Sequence, residues 1–297
     1  TAVNEFQQVI DQNSRLAESY RAEGIAYYSE KAYPEAIAAF SRSLNNMDDP
    51  DKEFKKDVQF YLAQARMDYG EVDKAIEVYS EILKAGEDEQ AFFLRGKAYI
   101  SMEDYKNAEK DFQRALEGCE DYNLYINIYQ IYVDHNKAVD GDAYLKMALE
   151  LEPQDGEDCY HRGRIYEYEK NYEAARDELK TAMEQGYEDA MLLLGRVYLE
   201  MEDPASARSM YQEYLQKSEQ GAKAYNGLAM CDIYDGAYDS ALENIAQGLK
   251  ENSKEDEQGL LYNEIVAYEY KRDFATAKEK MKIYLEQYPE DEAALRE

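Results

Sequence analysis

One small residue recurs along this chain at an interval of about 34 positions, and that interval limits the possible folds more than any other feature. It is Ala36, Ala75, Ala108, Ala175, Ala207, Ala241 and Ala277, with Gly141 in the remaining place, so successive differences are 39, 33, 33, 34, 32, 34 and 36. A spacing held over eight places marks a repeat array, in which each unit packs on its neighbours instead of closing a core of its own. Residues 89–120 show what one unit is. Gly96 and Tyr99, then Tyr105, Ala108, Phe112 and Ala115, fall three or four apart on either side of a polar break at 101–104, which predicts two short helices joined by a tight turn. A second small residue keeps step in the first helix as Gly24, Ala63, Gly96, Gly163, Gly195 and Ala229. Glycine costs roughly 1 kcal/mol inside a helix. Its recurrence there predicts helix axes that cross too closely for a larger side chain.

These residues resemble the tetratricopeptide repeat, a helix–turn–helix unit with a small residue then Tyr in its first helix and Ala, an aromatic, Ala and Pro in its second. The Tyr recurs as Tyr27, Tyr99, Tyr132, Tyr166, Tyr198 and Tyr268, and the aromatic as Phe40, Tyr79, Phe112 and Tyr211, with Leu145, Leu179, Ile245 and Met281 in the other units. An aromatic three residues before the anchor recurs as Tyr33, Tyr105, Tyr172, Tyr238 and Phe274. The resemblance covers roughly residues 15 to 289 and implies an all-α, right-handed superhelical solenoid of about eight units forming one domain over 1–297. The fourth unit carries Tyr129 at the small site and Gly141 at the anchor, so a looser crossing is expected there; the eighth carries Ile265 at the small site. Val3, Phe6, Val9 and Ile10 predict an N-terminal capping helix within 1–14, and 290–297 reads as the start of a C-terminal one. Pro34, Pro50, Pro153, Pro204 and Pro289 all fall in loops or first helical turns, which supports the register independently.

Composition removes several functions. Asp and Glu number 64 against 34 Lys and Arg, a net charge of −30, which repels phosphate backbones and anionic membranes, so no nucleic-acid partner is expected. No run of 18 apolar residues is present, so no direct membrane insertion is expected of this segment. Thirty tyrosines and no tryptophan suit a core between stacked helices, because the ring packs while the hydroxyl reaches the rim. Cys119, Cys159 and Cys231 are an odd number without paired spacing, which predicts small buried hydrophobes rather than disulfides. The sequence opens on Thr1 rather than Met, so a cleaved or omitted segment, such as a signal or lipid-attachment peptide, is expected before it. The compartment, cytoplasmic or exported, stays open.

No catalytic chemistry is visible. His135 and His161 stand in different units, and no metal-binding, phosphate-binding or nucleophile motif accompanies them. The five or so extra residues near 47–53 make an acidic loop without the ligand spacing of a calcium site. No cofactor and no metal are expected, and the chain reads as a non-enzyme.

Binding remains, and the resemblance says where. In this family the first helices line the concave face. The residues after the small site in units two to seven are Gln64, Lys97, Gln130, Arg164, Arg196 and Met230, flanked by Ile25 and Val266 in the end units. Four residues earlier stand Arg21, Phe60, Phe93, Ile126, Tyr160, Leu192, Asn226 and Tyr262. Together they describe a trough of apolar and aromatic patches between basic heads, fitted to an extended peptide or a partner's helix whose carboxylates meet the cations. Alternatively Arg164 and Arg196 neutralise Glu167 and Glu200 one turn on. The lysine–asparagine clamp that this family uses for chaperone tails is not reproduced, since Asn226 is isolated and Lys97 has no matching Asn in the next unit. The reading is a monomeric, non-catalytic scaffold for a protein or peptide. The other reading is a structural or assembly adaptor that works through its terminal faces, or as an accessory subunit of a larger complex, with the groove idle.

Overall fold

The computed structural model describes residues 16–47, 51–218, 221–251, 253–291 and 294–296. The expected capping helix in 1–14 and Pro50 lie outside them. Among the described residues all regular structure is helical, in two compact units, Thr1–Met147 and Ala148–Glu297. The first holds α1 (Leu16–Ser29), α2 (Tyr33–Asn45), α3 (Lys52–Tyr69), α4 (Val72–Ala85), α5 (Glu89–Ser101), α6 (Tyr105–Ala115), α7 (Tyr122–Asp134) and most of α8 (Ala138–Leu149). The second holds α9 (Gly156–Tyr168), α10 (Tyr172–Glu184), α11 (Ala190–Glu200), α12 (Pro204–Lys217), α13 (Ala222–Tyr234), α14 (Tyr238–Lys250), α15 (Lys254–Tyr270) and α16 (Phe274–Gln287). At the C-terminal end, Ala294–Arg296 form a single 3₁₀ turn.

The helices come in pairs because every pair has the same turn. Five residues before each anchor, one residue sits in the left-handed region: Lys31, Glu103, Asn136, Lys170, Glu202 and Arg272 at φ 57–65°, and Gly70 and Gly236 at 89° and 74°. The next N–H then reaches back five residues to close the first helix: Ala32 to Tyr27 O, Asp104 to Tyr99 O, Asn171 to Tyr166 O and Asp273 to Tyr268 O, all within 2.8–2.9 Å. The recurrent tyrosine therefore also carries the carbonyl that closes its own helix. Where the residue after the left-handed one is Asp or Asn, its carboxylate or amide oxygen caps the second helix, as Asp104 does for the Asn107 N–H, Asn171 for Ala174 and Asp203 for Ser206. Only two of these turns carry glycine, so the rest hold a strained side chain. A triple Glu103→Gly, Lys170→Gly, Glu202→Gly variant is expected to gain about 0.5–1 kcal/mol per site, the relief of left-handed strain less glycine's extra unfolded-state entropy. Circular-dichroism melting checks this, and a lowered midpoint would contradict it.

The small sites do what their recurrence implies. A Cβ built on Gly24 would lie 2.5 Å from the Phe40 ring, on Gly96 2.7 Å from Phe112, on Gly163 2.6 Å from Leu179 and on Gly195 2.6 Å from Tyr211. Each glycine faces the large residue of its own second helix. The fourth pair is built differently. Gly141 of α8 gives the space that Tyr129 of α7 takes: a Cβ there would meet the Tyr129 ring and Tyr132 Cβ, both at 3.0 Å. Small and large have exchanged helices. Phe112, Tyr132 and Tyr144 then form a mutual cluster with centroids 5.6–6.1 Å apart.

The residue before the small site varies in chemistry, and its partner varies with it. In the third pair Arg95 makes a two-pronged bond to Asp111 at 2.7 and 2.7 Å and a further one to Ser80. In the fifth, Arg162 pairs with Glu178 at 2.8 Å and donates to the carbonyls of Leu149 and Leu151. In the eighth the signs are reversed, Glu264 with Lys280. In the first pair the corresponding residue is Glu23, 3% exposed, with Ala39 where a cation would stand. Its Oε2 has no hydrogen-bond partner among the described residues, and burial pushes its carboxyl above the usual range. The folded state therefore keeps a proton that the unfolded chain gives up, so the ionisation penalty acts at neutral pH and fades as pH falls below the ordinary carboxylate value. Glu23→Gln is expected to stabilise by about 1 kcal/mol or more at pH 7, with the gain vanishing towards pH 4. Paired urea titrations at the two pH values measure it; an equal effect at both would refute the assignment.

The cysteines are free thiols, Cys159 and Cys231 buried and Cys119 half-buried. Burial pushes the Cys231 thiol up to about 11, which leaves it protonated and inert.

Candidate functional site

The first helix of each pair supplies the predicted contact residues, and the two units treat them differently. In unit 1, Arg21 is held by Asp57 at 2.5 Å and lies over the Tyr61 ring. Phe60 and Phe93 lean on the core rings Tyr79 and Phe112. Gln64 and Gln130 each donate to an aspartate one turn on, Asp68 and Asp134. Lys97 is exposed and has no ion-pair partner among the described residues. Ile126 is 2% exposed, so it belongs to the core rather than to an open wall. Unit 1 has a hollow at the start of α3 and end of α4, around Lys52, Lys55, Lys56 and Lys84, and none of the predicted contact residues lines it.

In unit 2 the structure brings Tyr160, Leu192, Arg196, Asn226 and Met230 together around one hollow of about 790 Å³. The wall runs along α9, α11, α13 and the start of α15, all first helices of their pairs. Arg164 and Tyr262 lie outside it. The Arg164 guanidinium stands over the Tyr160 ring and donates to His161 Nδ1 at 3.2 Å, while Tyr262 packs against Tyr284. Arg196 is neutralised, but not from one turn on: both its Nε and Nη2 bond the Glu167 carboxylate, at 2.6 and 2.7 Å, on the preceding first helix. Glu200 instead accepts from the Tyr172 hydroxyl. The two helices place position i of one beside position i−29 of the other, a neighbour that single-helix spacing does not reveal.

Residues outside the predicted set complete the hollow: Asp189, Tyr211, Tyr214, Lys223, Glu251, Ser253, Glu255, Asp256 and Gly259. Lys223 pairs with Glu255 at 3.2 Å, Glu251 accepts the Gly221 N–H at 2.8 Å, and Asp256 accepts the Ser253 hydroxyl at 2.7 Å. Asn226 Oδ1 accepts from Asn263 at 2.8 Å, which leaves its own amide N–H groups beside Gly259.

Tyr211 is the least expected member. It belongs to α12, a second helix, yet it lines the hollow made by first helices. A Cβ on Gly195 would lie 2.6 Å from its Cζ, and a Cβ on Gly227 only 2.3 Å. Its ring tip thus passes between α11 and α13 through an opening that two glycines leave. The visible signal is Gly227 itself, a glycine out of register with Ala229 and paired with nothing in the repeat pattern.

Sequence comparison agrees with this architecture. The tetratricopeptide repeat pattern matches residues 89–121 in one form and 1–51, 160–222 and 192–257 in another, more than half of the chain. The chain belongs to the tetratricopeptide repeat family. Comparison with curated proteins gives no match. Among solved structures, this tetratricopeptide repeat chain is similar to a repeat protein from Parabacteroides merdae, at 12% identity over 85% of this chain and 100% of that one, TM-score 0.53. It is similar also to yeast Tom70, at 15% identity over 96% of this chain and 74% of that one, TM-score 0.53. YrrB, described as a repeat protein with an unusual peptide-binding site, matches at 26% identity over 62% of this chain and 96% of that one, TM-score 0.40. The first two likenesses show the fold. Among the described residues no three His, Cys, Asp or Glu side chains gather as metal ligands, and no helix is long and apolar enough to cross a membrane.

Proposed function

We propose that this chain is a non-catalytic scaffold that holds a protein partner, as an extended peptide or a helix, against the first helices of its repeats, with the hollow of unit 2 as the main seat. The observation that carries this reading is the convergence of Leu192, Met230 and Tyr160 with the polar groups of Arg196 and Asn226 around one concave space. Aromatic and aliphatic anchors set among a few placed polar groups are what a recognition groove needs. Met230 is 41% exposed within it, an apolar cost that an occupant would remove.

The test is a Leu192→Asp, Met230→Asp double variant of the full chain, compared with Phe274→Asp, which changes an exposed apolar residue away from the hollow. A protein captured by the parent chain is expected to bind the hollow variant at least tenfold more weakly and the control unchanged. Equal binding by both variants would remove the groove from the mechanism. Assembly through an end face is the second reading, favoured by Ile283 and Leu295, 53% and 58% exposed in the last helix and the turn beyond it. Sedimentation over a range of concentrations separates the two, since only assembly makes the mass rise with concentration.

A further inference from the structure

Cations on the groove would meet a partner's carboxylates, but the two that line the hollow of unit 2 are already paired. Arg196 is gripped by Glu167 and Lys223 by Glu255. On the same wall stand Asp189 and Glu251, neither in an ion pair among the described residues, and Asp256, which shares the field of Lys223 with Glu255. Asp189 caps the start of α11 without a side-chain bond. Asp256 lies in the first turn of α15 between Glu255 and Glu257. The uncompensated charge of the hollow is therefore negative, inside a chain of net charge −30.

A second observation is independent of charge. Tyr211 is 4% exposed and lines the hollow, and its hydroxyl has no hydrogen-bond partner among the described residues. The ring cannot turn away, because Gly195 and Gly227 hold it on both sides at distances where a Cβ would collide. A phenol fixed in this way is a donor set at the floor of the space, open to an acceptor that enters it. Burial pushes its ionisation far above neutral, so it stays a donor through the working pH range.

We propose that the hollow of unit 2 takes a cationic segment of a partner protein: a Lys or Arg side chain set between Asp189 and Asp256, with a main-chain carbonyl of the same segment accepting from Tyr211 Oη. Arg is the better fit, since its planar fork can pair with a carboxylate through two N–H groups at once. The Arg196–Glu167 and Lys223–Glu255 pairs keep the wall's own cations from repelling it. This inference rests on the groove reading and narrows it to a partner class opposite in sign to the one read from the sequence.

The test uses the full chain and three short synthetic peptides that share their Leu and Tyr positions and carry Arg and Lys, Glu and Asp, or Ser and Gln elsewhere. Each carries a photo-crosslinking group, and affinity is read by fluorescence anisotropy. The basic peptide is expected to bind tightest and to crosslink to α11 or α13. Asp189→Asn with Asp256→Asn should weaken it about five- to tenfold and flatten its salt dependence. Tyr211→Phe, which keeps the ring between its glycines, should weaken it by a similar factor without lowering the melting temperature. If the acidic peptide binds tighter and crosslinks to the same helices, the groove stands and the charge assignment falls. If none crosslinks to α11 or α13, the groove reading falls with it. A basic peptide indifferent to the aspartate pair would overturn the inference even if it bound.

Discussion

Replacing Gly227 by leucine is expected to cost about 3 kcal/mol, towards the upper end of what overpacking a well-filled site does. The new Cβ would stand 2.3 Å from Tyr211 Cζ and 2.5 Å from both Cε atoms. Elsewhere such a ring would swing aside. Here Gly195 closes the opposite side at 2.6 Å, and the ring sits in a helix that packs on both glycine-bearing helices. Leucine's better helix propensity returns at most about 1 kcal/mol, so the clash decides the sign. Gly86→Ala is the control: its added Cβ meets nothing within 4 Å, and its φ of 170° is open to any residue, so it should be nearly neutral. A Tyr211→Ala change in the Gly227→Leu background should recover stability, although Tyr211→Ala alone costs several kcal/mol through its cavity. Urea unfolding of the four proteins closes the cycle. Strictly additive effects would mean that the two side chains do not meet.

How much of this was legible beforehand follows from the same residues. The recurrence of Ala36 through Ala277 carries the fold because each anchor is fully or nearly buried at a helix crossing, and burial of that kind leaves a periodic trace. Gly24, Gly96, Gly163 and Gly195 were readable for the same reason. The left-handed turns were not, because Lys31, Glu103, Lys170 and Glu202 carry none of the usual glycine signal and are tolerated only where the closing hydrogen bonds outweigh the strain. The site was legible in part. Register alone placed Leu192, Arg196, Asn226 and Met230 on one wall. It could not tell that Ile126 would be covered, that Glu167 rather than Glu200 would hold Arg196, or that Tyr211 would reach through from the other layer. Those facts depend on neighbours about 30 residues away, and a period fixes which residues share a face without fixing how adjacent pairs settle against each other.

The other large effect is expected at Asp232. This carboxylate is 3% exposed, near the end of α13, and its three side-chain hydrogen bonds come from the two flanking helices. Oδ1 accepts from Arg208 of α12 at 2.7 Å, and Oδ2 accepts from Ser240 and Asn244 of α14, both at 2.7 Å. Burying a charge is tolerable only with that degree of compensation. Asp232→Ala leaves a guanidinium, a hydroxyl and an amide donor facing a void, and should cost about 3–5 kcal/mol, the range for breaking one side of a buried pair. Arg208 keeps Asp235 at 2.9 Å, which holds the loss towards the lower figure. Asp232→Asn keeps one acceptor but turns the other into a donor aimed at donors, so it should lose roughly half as much. Removing Arg208 and Asp232 together should cost less than the sum, because each single change strands the other partner. Salt separates this bond from the surface pairs. Arg196, 57% exposed beside Glu167, should lose its contribution at high ionic strength, whereas Asp232 should keep its own. If Asp232→Ala unfolds with the parent's midpoint and slope, then α12, α13 and α14 are held by apolar contact alone and the buried carboxylate does no structural work.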